Sequence, residues 1–295
     1  MIAPGRAVLG TASRGRKTNR FALWLAVAWV TAILAGCSYP TRNTELASLD
    51  PRDGYRWQSL AGGELDDTIL IFTASGGGTR ATALALSTLR GLERLKRASG
   101  RSLADEIDVI SSVSGGSVTA GYFALTGTDG FDTLERDFVR RDGMSALIWK
   151  ALNPVDLIER ATPSRERIDL LIDYLDETLF DEATFADLTR AGRRPLLILN
   201  AADMVEGTPF AFTQNRFDLI CSDLGRMKLS VGVAASAAVP GAMSPLTLVN
   251  YSPCAAQESG IWPKTWVTNA ADSNWFDNPA RVRRGRVAEA YSLGR

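Results

Sequence analysis

Two clusters of small residues carry the chemistry this sequence offers. In the first, Ser112-Val113-Ser114-Gly115-Gly116 departs from the G-x-S-x-G nucleophile elbow only at its first position, where serine stands for glycine. The elbow sets a serine on a strained turn between a strand and a helix, so its neighbours must be small, and serine is small enough. The helix that follows aims backbone N–H groups at the serine, where they stabilise an anion. Ser114 is the candidate nucleophile, with Gly115 and Gly116 supporting it. Ser111, Ser112 and Ser117 lack small residues on both sides in the elbow register and read as supporting residues. The second cluster is Ser75-Gly76-Gly77-Gly78-Thr79-Arg80. Two jobs compete for it on the residues alone: a phosphate cradle, and a tight turn with no ligand, the ordinary use of glycine. A P-loop needs G-K-[ST], which Thr79-Arg80 does not supply, and a dinucleotide fingerprint wants a third glycine where Ala81 stands.

The elements needed to position these clusters follow from the pattern around them. Thr68 to Ala74 is an apolar, β-branched run that predicts a buried strand, and from Ala81 the positions Leu84, Ala85, Leu89, Leu92 and Leu95 recur at helical spacing up to Gly100. The unit repeats at once: Ile107 to Val113 predicts a strand, Ser114 to Ser117 a tight turn, and Val118 to Leu125 a helix. Two strand-turn-helix units in succession predict a parallel sheet. Beyond them, Arg165 to Thr178 is a half-buried helix carrying Ile168, Leu171, Ile172 and Leu175. Pro195 to Ala201 is a third strand and Thr208 to Thr213 a fourth, while Leu229 to Ala238 is a small-residue helix able to pack closely on the sheet.

Composition removes several function classes. The chain has 295 residues and no histidine, so neither a Ser-His-Asp nor a Cys-His arrangement is available. The usual zinc and non-haem iron sites need histidine or clustered cysteines, and only Cys37, Cys221 and Cys254 exist, so no metal or cofactor is expected. Bases and acids both number 33, which gives no electrostatic argument for a nucleic-acid partner. The first 36 residues hold five bases and no acid, leaving 28 bases against 33 acids in the rest.

That basic start has a structure of its own. Arg20 is followed by an uncharged run from Phe21 to Leu34, shorter than the roughly 20 residues a membrane span requires, and then by small residues. Leu34-Ala35-Gly36-Cys37 resembles the bacterial lipobox, which implies cleavage before Cys37 and lipidation of its thiol. Each buried methylene of an acyl chain contributes about 0.8 kcal/mol, so several chains would hold the domain to a bilayer. Ser38 in place of aspartate implies sorting to the outer membrane, with the domain facing the periplasm. The expected organisation is a signal peptide over 1–36, the lipidated cysteine and a Pro/Gly-rich tether over 37–66, and a catalytic domain over 67–295. Cys221 and Cys254 are then the thiols left to pair in an oxidising compartment.

The glycine cluster lies one strand-helix unit before the elbow, and that order resembles the patatin-like phospholipases. Asn200-Ala201-Ala202-Asp203 with Gly207, and Ala235-Ser236-Ala237-Ala238-Val239-Pro240, resemble two further segments of that family, so the resemblance spans roughly residues 66 to 250. It implies a three-layer α/β/α fold around a mainly parallel sheet. It also implies Ser114 as nucleophile, an oxyanion loop at Gly76, Gly77 and Gly78, and hydrolysis of an acyl ester in phospholipid or a related lipid. Arg80 would fix that loop or meet an anionic head group, unless it is a solvated helix-start arginine. Asp203 reads as a turn residue.

The family uses a serine-aspartate dyad, so the missing histidine supports the resemblance. Its aspartate sits in a late Asp-Gly-Gly or Asp-Gly-Ala segment that has no counterpart before Leu293-Gly294-Arg295, and Asp272 and Asp277 fall in a turn-like polar stretch. The C-terminal part of the domain, and the base with it, is therefore expected to be missing. The rival expectation is a catalytically silent, membrane-anchored member that binds lipid or protein.

Overall fold

The computed structural model describes residues 41–48, 50, 53–60, 68–141, 166–190, 195–204 and 207–251. The chain divides into two units, Met1–Tyr39, which lies outside these residues, and Pro40–Arg295. Within the second, a two-residue strand β1 (Thr44–Glu45) comes first. The central elements follow: β2 (Ile71–Ala74), α1 (Gly78–Arg94), β3 (Val109–Val113) and α2 (Gly115–Thr126). A helical turn at Phe131–Leu134 leads to α3 (Arg167–Leu175), α4 (Phe185–Arg190), β4 (Leu196–Ala202) and β5 (Pro209–Phe212). The described chain closes with α5 (Gln214–Asp218), β6 (Ser222–Asp223) and α6 (Leu229–Ala237).

The α/β class expected from the strand-turn-helix repeats is what the chain forms. The sheet runs β2-β3-β4-β5 with helices flanking it. β2, β3 and β4 are parallel, in the register Ala74↔Ser112↔Leu199, and β5 is antiparallel to β4. The parallel strands thus end at one edge, where their following loops meet. Ile110, Leu197 and Leu199 share one face and are fully buried, whereas Ile71 and Val113 on the other keep 58% and 44% of their surface.

Composition explains how each helix sits. α2 is apolar nearly all round, from Gly115 to Ala124, and is buried on every side as such a helix must be. α6 is equally buried, and its small residues let it approach the sheet: a Cβ on Gly232 would stand 3.0 Å from Leu199 Cδ1 and 3.2 Å from Phe185 Cζ. α1 is amphipathic, but its buried stripe is Thr82, Ala85, Leu86 and Leu89. Leu84 and Leu95, expected on the inner face, are 66% and 55% exposed. The helix also starts three residues earlier than the leucine spacing indicates, at Gly78.

The tether expected at 37–66 is a docked strap over its described residues, 41–48, 50 and 53–60. Arg42 pairs with Asp169 in the first turn of α3. Asn43 donates to the Ser222 hydroxyl at 3.0 Å and to the Val249 carbonyl at 2.9 Å, and accepts from Val249 N–H at 2.8 Å. Register pairs between β4 and β5 begin at Leu199, and the Leu197 N–H beyond them donates to the Tyr55 hydroxyl at 2.7 Å. Tyr55 packs edge-on against Phe185 at 5.3 Å, joining an aromatic cluster in which Phe185 stacks on Phe212. Each such pair contributes about 0.5–1.5 kcal/mol beyond its burial. Burial holds the Tyr55 phenol well above its ordinary range, so it stays neutral. Glycine and proline content suggested a linker; polar side chains with distant partners make a strap instead.

Candidate active site

The turn between β3 and α2 holds Ser114 at φ 54°, ψ −125°, a left-handed conformation that a non-glycine residue adopts only when its surroundings impose it. The surroundings are backbone. A Cβ on Gly115 would lie 2.0 Å from the Gly78 carbonyl oxygen, and one on Gly116 would lie 2.7 Å from the Ser75 carbonyl oxygen. The glycine loop after β2 therefore rests directly on the first turn of α2, an approach open only to residues without side chains. A Cβ on Gly76 would stand 3.2 Å from Ser114 Cβ, so the loop and the candidate nucleophile are close neighbours with no room for a side chain between them. Gly77 and Gly78 take φ 145° and φ 60°, which bends the strand end sharply into α1.

Two threonines fasten the paired helices. Thr82 donates to the Gly115 carbonyl at 2.8 Å, and Thr119 donates to the Thr82 carbonyl at 2.8 Å. As a result the N-termini of α1 and α2 start side by side. Neither has an acidic residue in its first turn, so no side chain of those turns offsets the positive ends of the two helix dipoles. An anion forming at Ser114 would meet a favourable field.

Behind the elbow lies a cluster of buried hydroxyls. The Ser114 N–H donates to Ser236 Oγ at 2.9 Å, and Ser236 Oγ lies 2.8 Å from Ser117 Oγ. Ser117 Oγ in turn lies 3.1 Å from Ser112 Oγ. Ser236 donates to the Asn200 carbonyl at 2.6 Å, while the Asn200 amide donates to Ser111 Oγ and to the Ser112 carbonyl, both at 3.0 Å. Ser111, Ser112 and Ser117, read from the sequence as supporting residues, all belong to this cluster.

A family model for patatin-like phospholipase matches residues 73–260, well over half of the chain. The chain belongs to the patatin-like phospholipase family. A comparison with curated proteins found no match. The matched span includes both clusters and runs past the segment around Ser236, so the resemblance carried by the motifs is shown.

Within this patatin-like domain the other expected residues are placed as follows. Arg80 is exposed in the first turn of α1, with no ion-pair partner among the described residues. Asp203 is buried in the turn joining β4 to β5, where its N–H donates to the Thr208 carbonyl at 2.8 Å and its carbonyl accepts from Gly207 N–H at 2.9 Å. Among the described residues no carboxylate is hydrogen-bonded to the Ser114 hydroxyl. Cys221 is fully buried and disulfide-bonded. Cys254, the partner expected for it, lies outside the described residues, as do Cys37, Asp272 and Asp277. Asn200 and Ser236 were missed as site residues. Both sit in segments that resemble the family, but no local pattern says that a hydroxyl 122 residues away reaches the elbow.

Proposed function

We propose that this patatin-like chain is a serine acyl hydrolase acting on ester bonds of phospholipid or a related lipid. Ser114 attacks the ester carbonyl while the backbone of the Gly76–Gly78 loop holds the oxyanion, the C–O bond breaks and the lipid alcohol leaves with the serine proton, and water then cleaves the acyl-enzyme to the free acid and Ser114. Arg80, exposed beside that loop, is suited to an anionic head group. The observation that carries this reading is the contact between the strained Ser114 turn and the glycine loop. Cys37 is proposed as the lipidated residue that anchors the domain in the outer membrane, facing the periplasm. Incorporation of labelled palmitate, lost in Cys37→Ala, is the expected result for that anchor.

The test of the chemistry is a covalent one. A fluorophosphonate probe should leave one adduct, located by mass spectrometry on the peptide holding Ser114 and absent in Ser114→Ala. An adduct on another serine would remove Ser114 from the role.

A second reading is favoured by the missing hydrogen bond between Ser114 and a carboxylate among the described residues. A serine without its base is a poor nucleophile, and loss of such a partner lowers rates on the order of 10⁴-fold. In that reading the protein is a silent, membrane-anchored member that binds lipid or protein. It requires that neither the probe nor short-chain nitrophenyl esters react faster with the wild type than with Ser114→Ala.

A further inference from the structure

We propose that Ser236 is a positioning residue that sets the nucleophile turn, an inference that rests on reading Ser114 as the nucleophile. A residue held at φ 54° must be fixed through its own backbone, because otherwise it relaxes toward an ordinary conformation. Ser114 follows the last register pair of β3, Val113↔Asn200, so no strand partner is aligned with its N–H. That donor is partly buried, where an unmade hydrogen bond is costly. Ser236, on the last turn of α6, accepts it at 2.9 Å.

The geometry of Ser236 is itself determined. A serine hydroxyl has one proton, and here it goes to the Asn200 carbonyl at 2.6 Å. The lone pairs are left to accept the Ser114 N–H, and the Ser117 hydroxyl, which donates to Ser112 Oγ, packs beside them at 2.8 Å. Ser117 closes the arrangement from the other side, since its N–H donates to the Ser114 carbonyl at 2.8 Å. Both backbone polar groups of Ser114 are thus held, by residues that are themselves buried at 8% and 0% exposure. With N and C=O fixed, the Cα–Cβ bond of Ser114 has one direction, toward the glycine loop.

One consequence separates this role from simple packing. The Ser114 N–H is committed to Ser236, so it does not serve the oxyanion. That task falls to the glycine loop and to the N–H groups from Gly115 onward. Removing the Ser236 hydroxyl would both loosen the turn and release a donor aimed away from the reaction.

The experiment compares Ser236→Ala, Ser236→Thr and Ser236→Val in the full chain. Thr keeps the hydroxyl, and Val matches the shape of Thr without it, so that pair reads the hydroxyl alone even if Ala folds poorly. Hydrogen exchange at the Ser114 amide should accelerate at least about tenfold in Ala and Val, with the Ile110 and Leu199 amides unchanged, and stay near wild type in Thr. The rate constant for fluorophosphonate labelling of Ser114 should fall about tenfold in Ala and Val and recover in Thr. An unchanged Ser114 amide in Ala and Val, or Thr and Val behaving alike, overturns the proposal. If the wild type takes no label, the hydrolase reading fails, and the exchange measurement still decides whether Ser236 holds the turn.

Discussion

Two regions of this molecule are held in opposite ways. At the nucleophile turn, backbone touches backbone: Gly115 and Gly116 lie against the carbonyls of Gly78 and Ser75, and the side chains nearby are hydroxyls. Along the strap, long side chains cross the gap. Arg56 reaches Asp218 at 2.5 Å with both side chains almost wholly buried, also contacts Asn215, and donates to the Asp53 carbonyl at 2.6 Å. The turn is rigid because nothing larger fits, whereas the strap is fixed because specific charges and donors meet. Substitutions should therefore act by steric conflict in the first region and by unmatched polarity in the second.

The largest effect is expected on the strap. Arg56→Met leaves the Asp218 carboxylate buried with Gln214 as its remaining side-chain donor, at 2.9 Å, and breaking a buried pair in this way destabilises by about 3–5 kcal/mol. Burial already holds the Asp218 carboxyl above its usual range, against the lowering effect of Gln214 and Arg56. Without Arg56 that shift grows. A raised carboxyl contributes stability that is full below its unfolded value and lost as pH rises through the folded one, so the variant should suffer more at pH 8 than at pH 5. Urea unfolding of Arg56→Met at both pH values checks this. The double variant Arg56→Met/Asp218→Leu should recover most of the loss, and equal destabilisation of the single and double variants would show that charge is not what the strap relies on.

The next effect is steric and belongs to the turn. Gly115→Ala places a methyl 2.0 Å from a backbone oxygen, with no rotamer by which to escape, and should cost about 2–3 kcal/mol while displacing the glycine loop. Loss of fluorophosphonate labelling should accompany it. Gly78→Ala is the control, since a Cβ there meets nothing within 4 Å. Its penalty is the φ of 60°, about 1–2 kcal/mol, so thermal unfolding should rank Gly115→Ala clearly below Gly78→Ala.

The same contrast explains what could be read before the fold was known. The turn was legible because its determinants are adjacent: a strand run, small residues around Ser114, and a helix after them. The glycine loop was legible for the same reason, and two strand-turn-helix units in a row implied parallel strands. α1 was read less well because two neighbouring stripes both satisfy helical spacing. Leu84 and Leu95 lie on the outer one, and the buried stripe includes Thr82, whose hydroxyl faces α2. The strap was not legible at all. Arg42, Asn43 and Arg56 are residues of a solvated linker by composition, and the partners that dock them on the domain lie 127 to 206 positions away. Ser236 stood in a recognised segment, but its reach to Ser114 is a tertiary fact.

The smallest effect tests whether the helix that carries Ser236 needs its charged start. Lys228 precedes α6 and places Nζ 2.9 Å from Asp176 and 2.8 Å from Glu182, with more than a third of its side chain exposed. Exposed pairs are screened by water and contribute about 0.2–1 kcal/mol, so Lys228→Met should lower the urea midpoint only slightly at pH 7. The sign of its pH dependence is fixed by hydrogen bonds from Lys228 to Glu182 and then to Asp176, which hold the ammonium above the ordinary lysine range. A raised lysine contributes stability that is complete below its unfolded value and disappears as pH rises through the folded one. Wild type and Lys228→Met should then differ by the same small amount from pH 6 to 9 and converge in strongly alkaline buffer. Fluorophosphonate labelling should be unchanged throughout, because α6 is held mainly by its buried small residues against Leu199 and Phe185. If Lys228→Met slows labelling as much as Ser236→Ala does, the start of α6 sets the turn as firmly as its last hydroxyl. The contrast between a region fixed by shape and one fixed by charge would then no longer hold at Ser114.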